Sequence, residues 1–231
     1  KTNQGINGER TIAIGHNAGA SNQGKRSVAI GSHCGHSDQS TYCVAIGQDC
    51  AQSGQNTRSV AIGNYSGRTN QNQYAIAIGS YAAYSTQGTY TIAIGYEAGY
   101  SNQPTNCIAI GREAGKTSQG SESIAIGGYS NCKSDGSNGL KATCIGFSAG
   151  RSYNSGTSVG NYAVCIGSDA GFNGCAANTI AINASGSDLS PTQTNAFFVK
   201  PIRDATNSNK LLYNSTTGEI TYQEDSGGGG G

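Results

Sequence analysis

Thr11-Ile-Ala-Ile-Gly15 is a short stretch to which the chain keeps returning, each time with glycine at its end. Eight strict copies follow one another, and their closing glycines are sixteen residues apart. These glycines are Gly15, Gly31, Gly47, Gly63, Gly79, Gly95, Gly111 and Gly127. Looser copies end at Gly146, Gly167 and Asn183. A fixed period of this kind is typical of repeat architectures, in which each repeat is one structural unit.

Within each copy, bulky and small residues alternate as they do in a β-strand. Ile or Val stands three residues and one residue before the glycine, and Ala lies between them. Sixteen residues hold two short strands and two tight turns, and no segment shows a helical period. We therefore predict an all-β fold, a single-chain β-solenoid over residues 11–186 with sixteen-residue coils.

Two columns of the repeat are expected to have structural roles. The closing glycines relieve strain or permit positive φ at a turn. Eight residues after the glycine comes a glutamine in seven successive repeats, and Asp135 breaks this column. The seven are Gln23, Gln39, Gln55, Gln71, Gln87, Gln103 and Gln119. If each repeat is one coil, these side chains stack at strand spacing and bond amide to amide in a ladder.

The two faces of the motif strand differ in bulk, and we expect Ile and Val to fill the roll because little else apolar recurs. The small face is then predicted to meet neighbouring chains, since Ala is a poor strand former with no reason to recur on an exposed surface. This predicted interchain face comprises Ala13, Ala29, Ala45, Ala61, Ala77, Ala93, Ala109 and Ala125.

Composition excludes several classes of function. The formal net charge of +1 provides no basic stripe for nucleic acid. No apolar run is long enough to span a membrane, and no signal peptide opens the chain. Lys1 in place of Met is consistent with a processed product or a fragment. With four Phe and no Trp or Met, a conventional thick core is not available.

The repeat is flanked by segments of other kinds. We expect residues 1–10 to be the end of a preceding coil, and the longer spacings before Gly146 and Gly167 to be loops on one face. Residues 187–222 are predicted to form a C-terminal β segment that ends in a short hairpin, with its turn at 214–218. Residues 223–231 are a Gly-rich linker or tail.

No catalytic, cofactor or metal site is predicted. Gly111–Thr117 imitates a phosphate-binding loop, but three residues separate its glycines where four are needed. His33, Cys34, His36, Asp49 and Cys50 are the one concentration of metal-type ligands, and strand alternation points neighbours to opposite faces. No nucleophile–base pair or carboxylate pair stands apart from the repeat. The chain is therefore not expected to be an enzyme.

The eight cysteines are interpreted mainly as small apolar fillers. Cys43 and Cys107 lie four coils apart, about 19 Å by strand spacing, which no disulfide spans. Cys34–Cys50 and Cys144–Cys165 are adjacent-coil neighbours that are close enough to pair. Buried thiols suit assembly in a reducing compartment, which favours a fibre assembled on a virus particle over an exported adhesin.

Outward columns offer binding surfaces. Glu97 and Glu113 share a variable column with tyrosines, and a shallow face for recognition is expected at Tyr65, Tyr81, Tyr84, Tyr100 and Tyr129. Three Asn positions match the N-glycosylation pattern, which is weakly specific in a chain so rich in Ser and Thr: Asn64, Asn183 and Asn214.

The repeats, such as Ser27-Val-Ala-Ile-Gly31 and Ser59-Val-Ala-Ile-Gly63, resemble the head repeats of trimeric autotransporter adhesins, the YadA-like left-handed parallel β-roll. The resemblance covers roughly residues 11–186. It implies a homotrimer of rolls that acts as a surface adhesin. The segments 197–203 and 212–222 are similar to parts of phage and large-virus fibre proteins.

Two hypotheses for function follow. The first is a non-enzymatic attachment protein, a trimeric fibre or adhesin head on a virion or cell surface, with a receptor or glycan as a further partner. The second is a self-assembling extracellular filament whose solenoids stack end to end. An ice-binding solenoid would need a flat Thr array, whereas the outward columns mix charged and aromatic residues.

Overall fold

The computed structural model describes residues 10–132, 141–152, 158–202 and 209–224. Every regular element in these residues is a β-strand, so the all-β prediction is confirmed. The chain divides into two units, residues 1–200 and 201–231. The expectations for residues 1–9, for Asp135 and for residues 225–231 lie outside the described residues, as does much of the two insertions.

The motif strands stack into one parallel sheet, the inner sheet of the solenoid. Each strand pairs in register with the next motif, so that Ala13 lies beside Ala29 and Ala77 beside Ala93. Its twelve strands are β1 (Ile12–Ile14), β2 (Val28–Ile30), β4 (Val44–Ile46), β6 (Val60–Ile62), β8 (Ile76–Ile78), β10 (Ile92–Ile94), β12 (Ile108–Ile110), β13 (Ile124–Ile126), β14 (Thr143–Ile145), β15 (Val164–Ile166), β16 (Ile180–Asn183) and β17 (Phe197–Lys200). The solenoid of sixteen-residue coils is therefore confirmed.

A second parallel sheet, the glutamine sheet, is formed by the other straight segment of each coil. Its strands are β3 (Ser37–Gln39), β5 (Ser53–Gln55), β7 (Thr69–Gln71), β9 (Ser85–Gln87) and β11 (Ser101–Gln103). Isolated bridges extend it at both ends, from Ser21 to Ser37 and from Ser101 to Thr117. The chain thus alternates between two sheets, which is the topology of a solenoid.

The space between the two sheets is filled by small residues and glutamines. The motif alanines from Ala29 to Ala125 have no exposed surface, and Ala13 in the first strand is 7% exposed. A second small column, which includes Ala18, Cys34, Cys50 and Ala82, is buried with them. The interior is narrow: a Cβ added at Gly35 would lie 3.2 Å from the Cβ of Ala29 in the facing strand.

The prediction for the two faces of the motif strand was therefore wrong. The predicted interchain face, Ala13, Ala29, Ala45, Ala61, Ala77, Ala93, Ala109 and Ala125, lies inside each chain's own roll. The motif Ile and Val do not fill the roll, because the close approach of the chain to the motif alanines leaves no room for branched side chains at those positions. They project from the outer side of the inner sheet, where Ile12 and Ile14 are about half exposed, at 47% and 55%.

Left-handed backbone conformations make the corners of each coil. The eight closing glycines have φ between 120° and 139°, a region that side chains rarely adopt. Other corners place ordinary residues in the left-handed helical region, among them Tyr65, Glu97 and Arg58. Such residues cost roughly 1–2 kcal/mol each, so the stacked hydrogen bonds and packing must hold them in place.

The first strand of the predicted C-terminal segment belongs to the inner sheet, and only the later strands form a sheet of their own. Strand β17 pairs in parallel with β16, with Phe197 beside Ile180 and Val199 beside Ile182, and so extends the inner sheet beyond the predicted boundary at residue 186. In the second unit, β18 (Asn209–Tyr213) and β19 (Ile220–Glu224) pair antiparallel. The predicted hairpin and its turn at 214–218 are confirmed, but the predicted start of the tail at residue 223 was wrong, because β19 runs to Glu224.

Gly79→Ala tests the close stacking of the closing glycines. A Cβ at this position would lie 2.5 Å from the carbonyl oxygen of Gly95 in the next coil, on a backbone with φ of 127°. We expect a loss of about 3 kcal/mol or more in unfolding free energy, measured by thermal or denaturant unfolding. Gly128→Ala is the control, because its Cβ meets only the Phe147 ring at 3.5 Å, and an equal loss there would contradict the assignment.

Candidate functional site

The glutamine column forms a continuous ladder inside the roll. The Nε2 of Gln55 donates to the Oε1 of Gln71 at 3.1 Å, and Gln71 donates in the same way to Gln87 at 3.1 Å. The series runs from Gln39 to Gln119, and its links are 3.0 to 3.5 Å long. All seven amides, from Gln23 to Gln119, are buried.

Each glutamine also joins the two sheets. The Nε2 of Gln71 donates to the carbonyl oxygen of Val60 in the facing strand at 2.8 Å, and Gln87 contacts that of Ile76 at the same distance. The amide thus bonds along the solenoid and across it. The Nε2 of Gln23 donates to the carbonyl oxygens of Ile12 and Ser27 in place of the next glutamine. The Oε1 atoms of Gln23 and Gln39 are buried without a hydrogen-bond partner.

Gln71→Leu removes one rung at nearly constant volume. It leaves the carbonyl oxygen of Val60 and the amide of Gln55 without this partner in a buried place, which costs about 2–3 kcal/mol of unfolding free energy. Denaturant unfolding measures the change. Gln73→Leu is the matched control, since Gln73 is exposed and two residues away, and its stability should stay within about 0.5 kcal/mol of wild type. Equal effects of the two changes would contradict a structural role for the ladder.

Cysteine replaces glutamine where the ladder ends. The backbone amide of Gly120 donates to the carbonyl oxygen of Cys132, as that of Gly88 does to Gln103. Cys132 therefore occupies the next place in the glutamine column after Gln119. It is disulfide-bonded to Cys144, which stands beside Ala125 in the motif column of the facing sheet. A covalent bond thus crosses the roll at the place where amide hydrogen bonds cross it in earlier coils.

In the coils after Cys132, other residues also stand in the glutamine column, and the cysteines there are free thiols. Val159 and Cys175 are bridge partners in the glutamine column, and Cys165 continues the motif column from Cys144. Cys165 and Cys175 are hydrogen-bonded, and this contact together with burial raises the pKa of Cys165. Cys144 and Cys165 are adjacent as expected but not bonded, because Cys144 is joined to Cys132.

The remaining cysteines are buried and free: Cys34, Cys43, Cys50 and Cys107. Cys43 donates to the carbonyl oxygen of Asn56 at 2.9 Å, and Cys107 to that of Gly120 at 3.1 Å, where serine hydroxyls bond in neighbouring repeats. Burial raises the pKa of both thiols. Cysteine here is a small filler in a serine position.

Mass mapping without reduction is expected to find the Cys132–Cys144 bond in the purified protein and Cys43 and Cys107 as thiols. The Cα atoms of Cys132 and Cys144 are 6.0 Å apart, within the usual range for a disulfide. Cys43 and Cys107 lie four coils apart, which is too far for a disulfide. Alkylation before and after reduction identifies the two classes. A Cys43–Cys107 crosslink within one chain would contradict the coil register.

The residues with metal-type side chains do not converge. His33 contacts the rings of His16 and His36 and lies 3.9 Å from a carboxylate oxygen of Asp49, outside the roll. Cys34 and Cys50 are hydrogen-bonded to each other inside it. Within the residues that the structure describes, no group of three or more His, Cys, Asp or Glu side chains is arranged to hold a metal ion.

Glu97 and Glu113 are joined by a lysine. The Nζ of Lys116 lies 2.6 Å from Glu97 and 3.1 Å from Glu113. The bond to Lys116 lowers the pKa of Glu97, and the bond to Glu97 raises that of Lys116. Lys116, which belongs to the segment similar to a phosphate-binding loop, therefore forms ion pairs on the surface.

Four of the five predicted tyrosines form one aromatic cluster on the outer surface. Tyr65 stacks on Tyr81 and Tyr84 stacks on Tyr100, with ring centroids 5.1 and 5.0 Å apart. Arg68 lies over the rings of Tyr65 and Tyr84. Tyr129 is separate from these four and packs against Phe147, Arg112 and Arg151.

A second exposed column of arginine and tyrosine side chains was not predicted from the sequence. Arg26, Tyr42, Arg58, Tyr74 and Tyr90 follow one another at sixteen-residue spacing, with Arg58 over both flanking rings and Tyr74 stacked on Tyr90. The periodicity itself was the available signal, five residues before each closing glycine.

One glycosylation-pattern asparagine is excluded by burial. Asn183 is 2% exposed, and its Nδ2 donates to the carbonyl oxygens of Ser168 and Ser187, each at 2.7 Å. The side chain of Asn214 accepts from the amides of Thr216 and Thr217 in the hairpin turn.

The outer side of the inner sheet, which faces away from the interior of the roll, carries an apolar surface that is here named the outer stripe. It consists of the bulky residues at alternate positions of β1 to β17, which are partly or mostly accessible in the single chain. Towards its C-terminal end lie Ile145, Ile166, Ile180, Ile182, Phe197 and Val199. Twelve strands at ~4.8 Å give a stripe roughly 50 Å long, more than a solitary protein usually exposes.

Comparison with known proteins supports the resemblance found in the repeats. The YadA head domain repeat matches residues 7–33, in two copies. No curated protein and no solved structure matches the chain. The matched repeats and the parallel solenoid indicate an adhesin-like structural or attachment domain. The part of the chain that the structure describes contains no helix long and apolar enough to cross a membrane.

Proposed function

We propose that the protein is a trimeric β-solenoid fibre or adhesin head, displayed on a virion or cell surface, in which the outer stripes of three chains pack together. The observation that supports this proposal is the stripe itself. Two branched aliphatic residues per coil face outward in β1 to β13 of the inner sheet and again in β15 and β16, although the interior of the coil is already full. A sheet face of this length needs a partner to remove it from water.

A homotrimer is the assembly that the adhesin-head resemblance implies. The outer stripe has no charged side chain in β1 to β16, so copies of it can meet without desolvating a charge. The cation and ring columns lie on other sides of the coil and would remain accessible. In the proposed fibre these columns would meet a receptor or a glycan.

The cysteines support assembly inside a cell before display. Six of the eight are buried thiols, which favours a virion fibre assembled in a reducing compartment over export of an unfolded chain. The Cys132–Cys144 bond does not oppose this order, because it can form after assembly and release.

Ile94→Arg tests the outer stripe as an interface. In a trimer this change buries an unpaired charge, so we expect the mass in solution to fall from three chains to one. Thr86→Arg is the matched control, because Thr86 lies half a coil before Ile94 and is exposed on the outside of the glutamine sheet, and this variant should keep three chains. Light scattering coupled to size exclusion measures both. A wild-type protein with the mass of one chain would contradict the proposal.

The second candidate is a filament that grows by end-to-end stacking of solenoids. Among the described residues, strand β1 has a neighbour in the inner sheet on one side only, which leaves its other edge available for pairing. A coil from another solenoid would supply the strand that pairs with this edge. A series of masses that rises with concentration, in place of three chains, would favour the filament.

A further inference from the structure

The C-terminal hairpin has two unlike faces. Residues directly opposite each other in an antiparallel pair point to the same side, and successive residues alternate. Leu211 is opposite Tyr222 and Tyr213 is opposite Ile220, so these four large side chains share one face, here named the hairpin apolar face. The opposite face begins with the pair of Lys210 and Gln223.

The hairpin apolar face is open in the single chain. Leu211 is 79% exposed, Tyr222 71%, Tyr213 68% and Ile220 55%. An isolated two-stranded hairpin is marginally stable in water, since it has no second layer to bury its side chains. This face is therefore the one that must be covered for the hairpin to persist.

The turn of the hairpin is nevertheless tightly specified. The amide of Asn214 donates to the carbonyl oxygen of Glu219 at 2.9 Å, and that of Gly218 donates back to Asn214 at 2.8 Å. The side chain of Asn214 accepts from Thr216 and Thr217, and Gly218 has φ of 73°, which suits glycine. A turn built in this detail fixes the register that places the four apolar residues on one face.

We propose that the hairpin apolar face packs against the same face of two further copies of this chain, so that residues 209–224 form a second trimer contact. This inference rests on the proposed function, because a trimer joined by the outer stripe brings three such segments together. The stripe continues through Phe197 and Val199 on β17, which ends at Lys200, and the hairpin begins at Asn209, so the tether is the eight residues 201–208. A tether this short gives the three hairpins a high effective concentration.

The chemistry of the face suits a copy of itself. The four side chains that define it carry no charge, so contact between copies of these four buries none, and tyrosines hold large contact area at low cost in side-chain freedom. The next pair in the same register, Asn209 and Glu224, lies at the open end of the hairpin. A lipid surface is less suited, because Lys210 is accompanied by Glu219 and Glu224 in the same segment and no excess of positive charge attracts anionic headgroups.

The experiment compares two double variants of the full chain that each change one opposed pair. Leu211→Ser with Tyr222→Ser removes half of the apolar face, and Lys210→Ser with Gln223→Ser changes the other face of the same strands. The concentration at which the trimer dissociates is measured by sedimentation across a dilution series. We expect it to rise at least tenfold in the first variant and to stay within twofold of wild type in the second.

Crosslinking gives a second readout that does not depend on weakening the protein. Ile220→Cys is expected to form interchain dimers under mild oxidation, and Thr221→Cys on the opposite face is expected to form few. Equal dissociation of the two double variants, or equal crosslinking of the two cysteines, would overturn the inference. So would flotation of the wild-type chain with phosphatidylserine vesicles that is lost in the Leu211→Ser, Tyr222→Ser variant.

The outcomes separate this inference from the proposed function. If Ile94→Arg dissociates the trimer and both hairpin double variants leave it unchanged, the fibre proposal stands and the hairpin contact is wrong. If the apolar-face double variant dissociates the trimer and Ile94→Arg does not, the hairpin contact stands and the outer stripe is not the interface. A monomeric wild-type chain overturns both.

Discussion

The close approach of the two sheets is the constraint on which the rest of the structure depends. A Cβ added at Gly99 would lie 3.2 Å from that of Ala93 across the roll, so a branched side chain does not fit at the position of Ala93. Alanine fits, and so does a glutamine whose flat amide lies along the solenoid. The amide then satisfies carbonyl groups that water cannot reach, which a small apolar residue would not do.

The same constraint explains the cysteines of the later coils. When the glutamine column stops after Gln119, Cys132, Val159 and Cys175 take its places. These side chains are shorter than glutamine, and the facing alanines become Cys144 and Cys165. The exchange keeps the total volume across the roll similar. In the coils whose spacing departs from sixteen residues, contacts between cysteine sulfur atoms thus replace the hydrogen bonds of the glutamine amides.

The sequence was sufficient to predict the coil length, both strands of the coil and the hairpin, because these depend on period and on turn residues. It was not sufficient to predict which face of the motif strand lies inside. Alternation establishes two faces, and the usual rule places the bulky one in the core. Here the sixteen-residue coil sets the distance between the sheets, and this distance selects Ala13 for the interior and leaves Ile12 outside.

Two other features had weak signals. The place of Cys132 in the ladder was hidden because it follows Gln119 by thirteen residues, and the period gave no reason to align it with glutamine. The left-handed corners at Tyr65, Glu97 and Arg58 carry residues with no preference for that conformation. Their geometry is imposed by the hydrogen bonds of neighbouring coils, which a single repeat does not reveal.

An interior of alanine has an energetic consequence for assembly. Burying an alanine methyl contributes little, on the order of 0.8 kcal/mol per methylene-sized group, whereas a fully buried Ile or Val contributes about 1.5–3 kcal/mol. Each regular coil holds its two branched residues on the outer stripe, where the single chain covers them only in part. Much of the hydrophobic free energy available to this sequence is therefore realised only when that stripe is covered. In the proposed trimer, folding of the roll and association through the outer stripe would reinforce each other, since only the assembled form would bury both faces of the inner sheet.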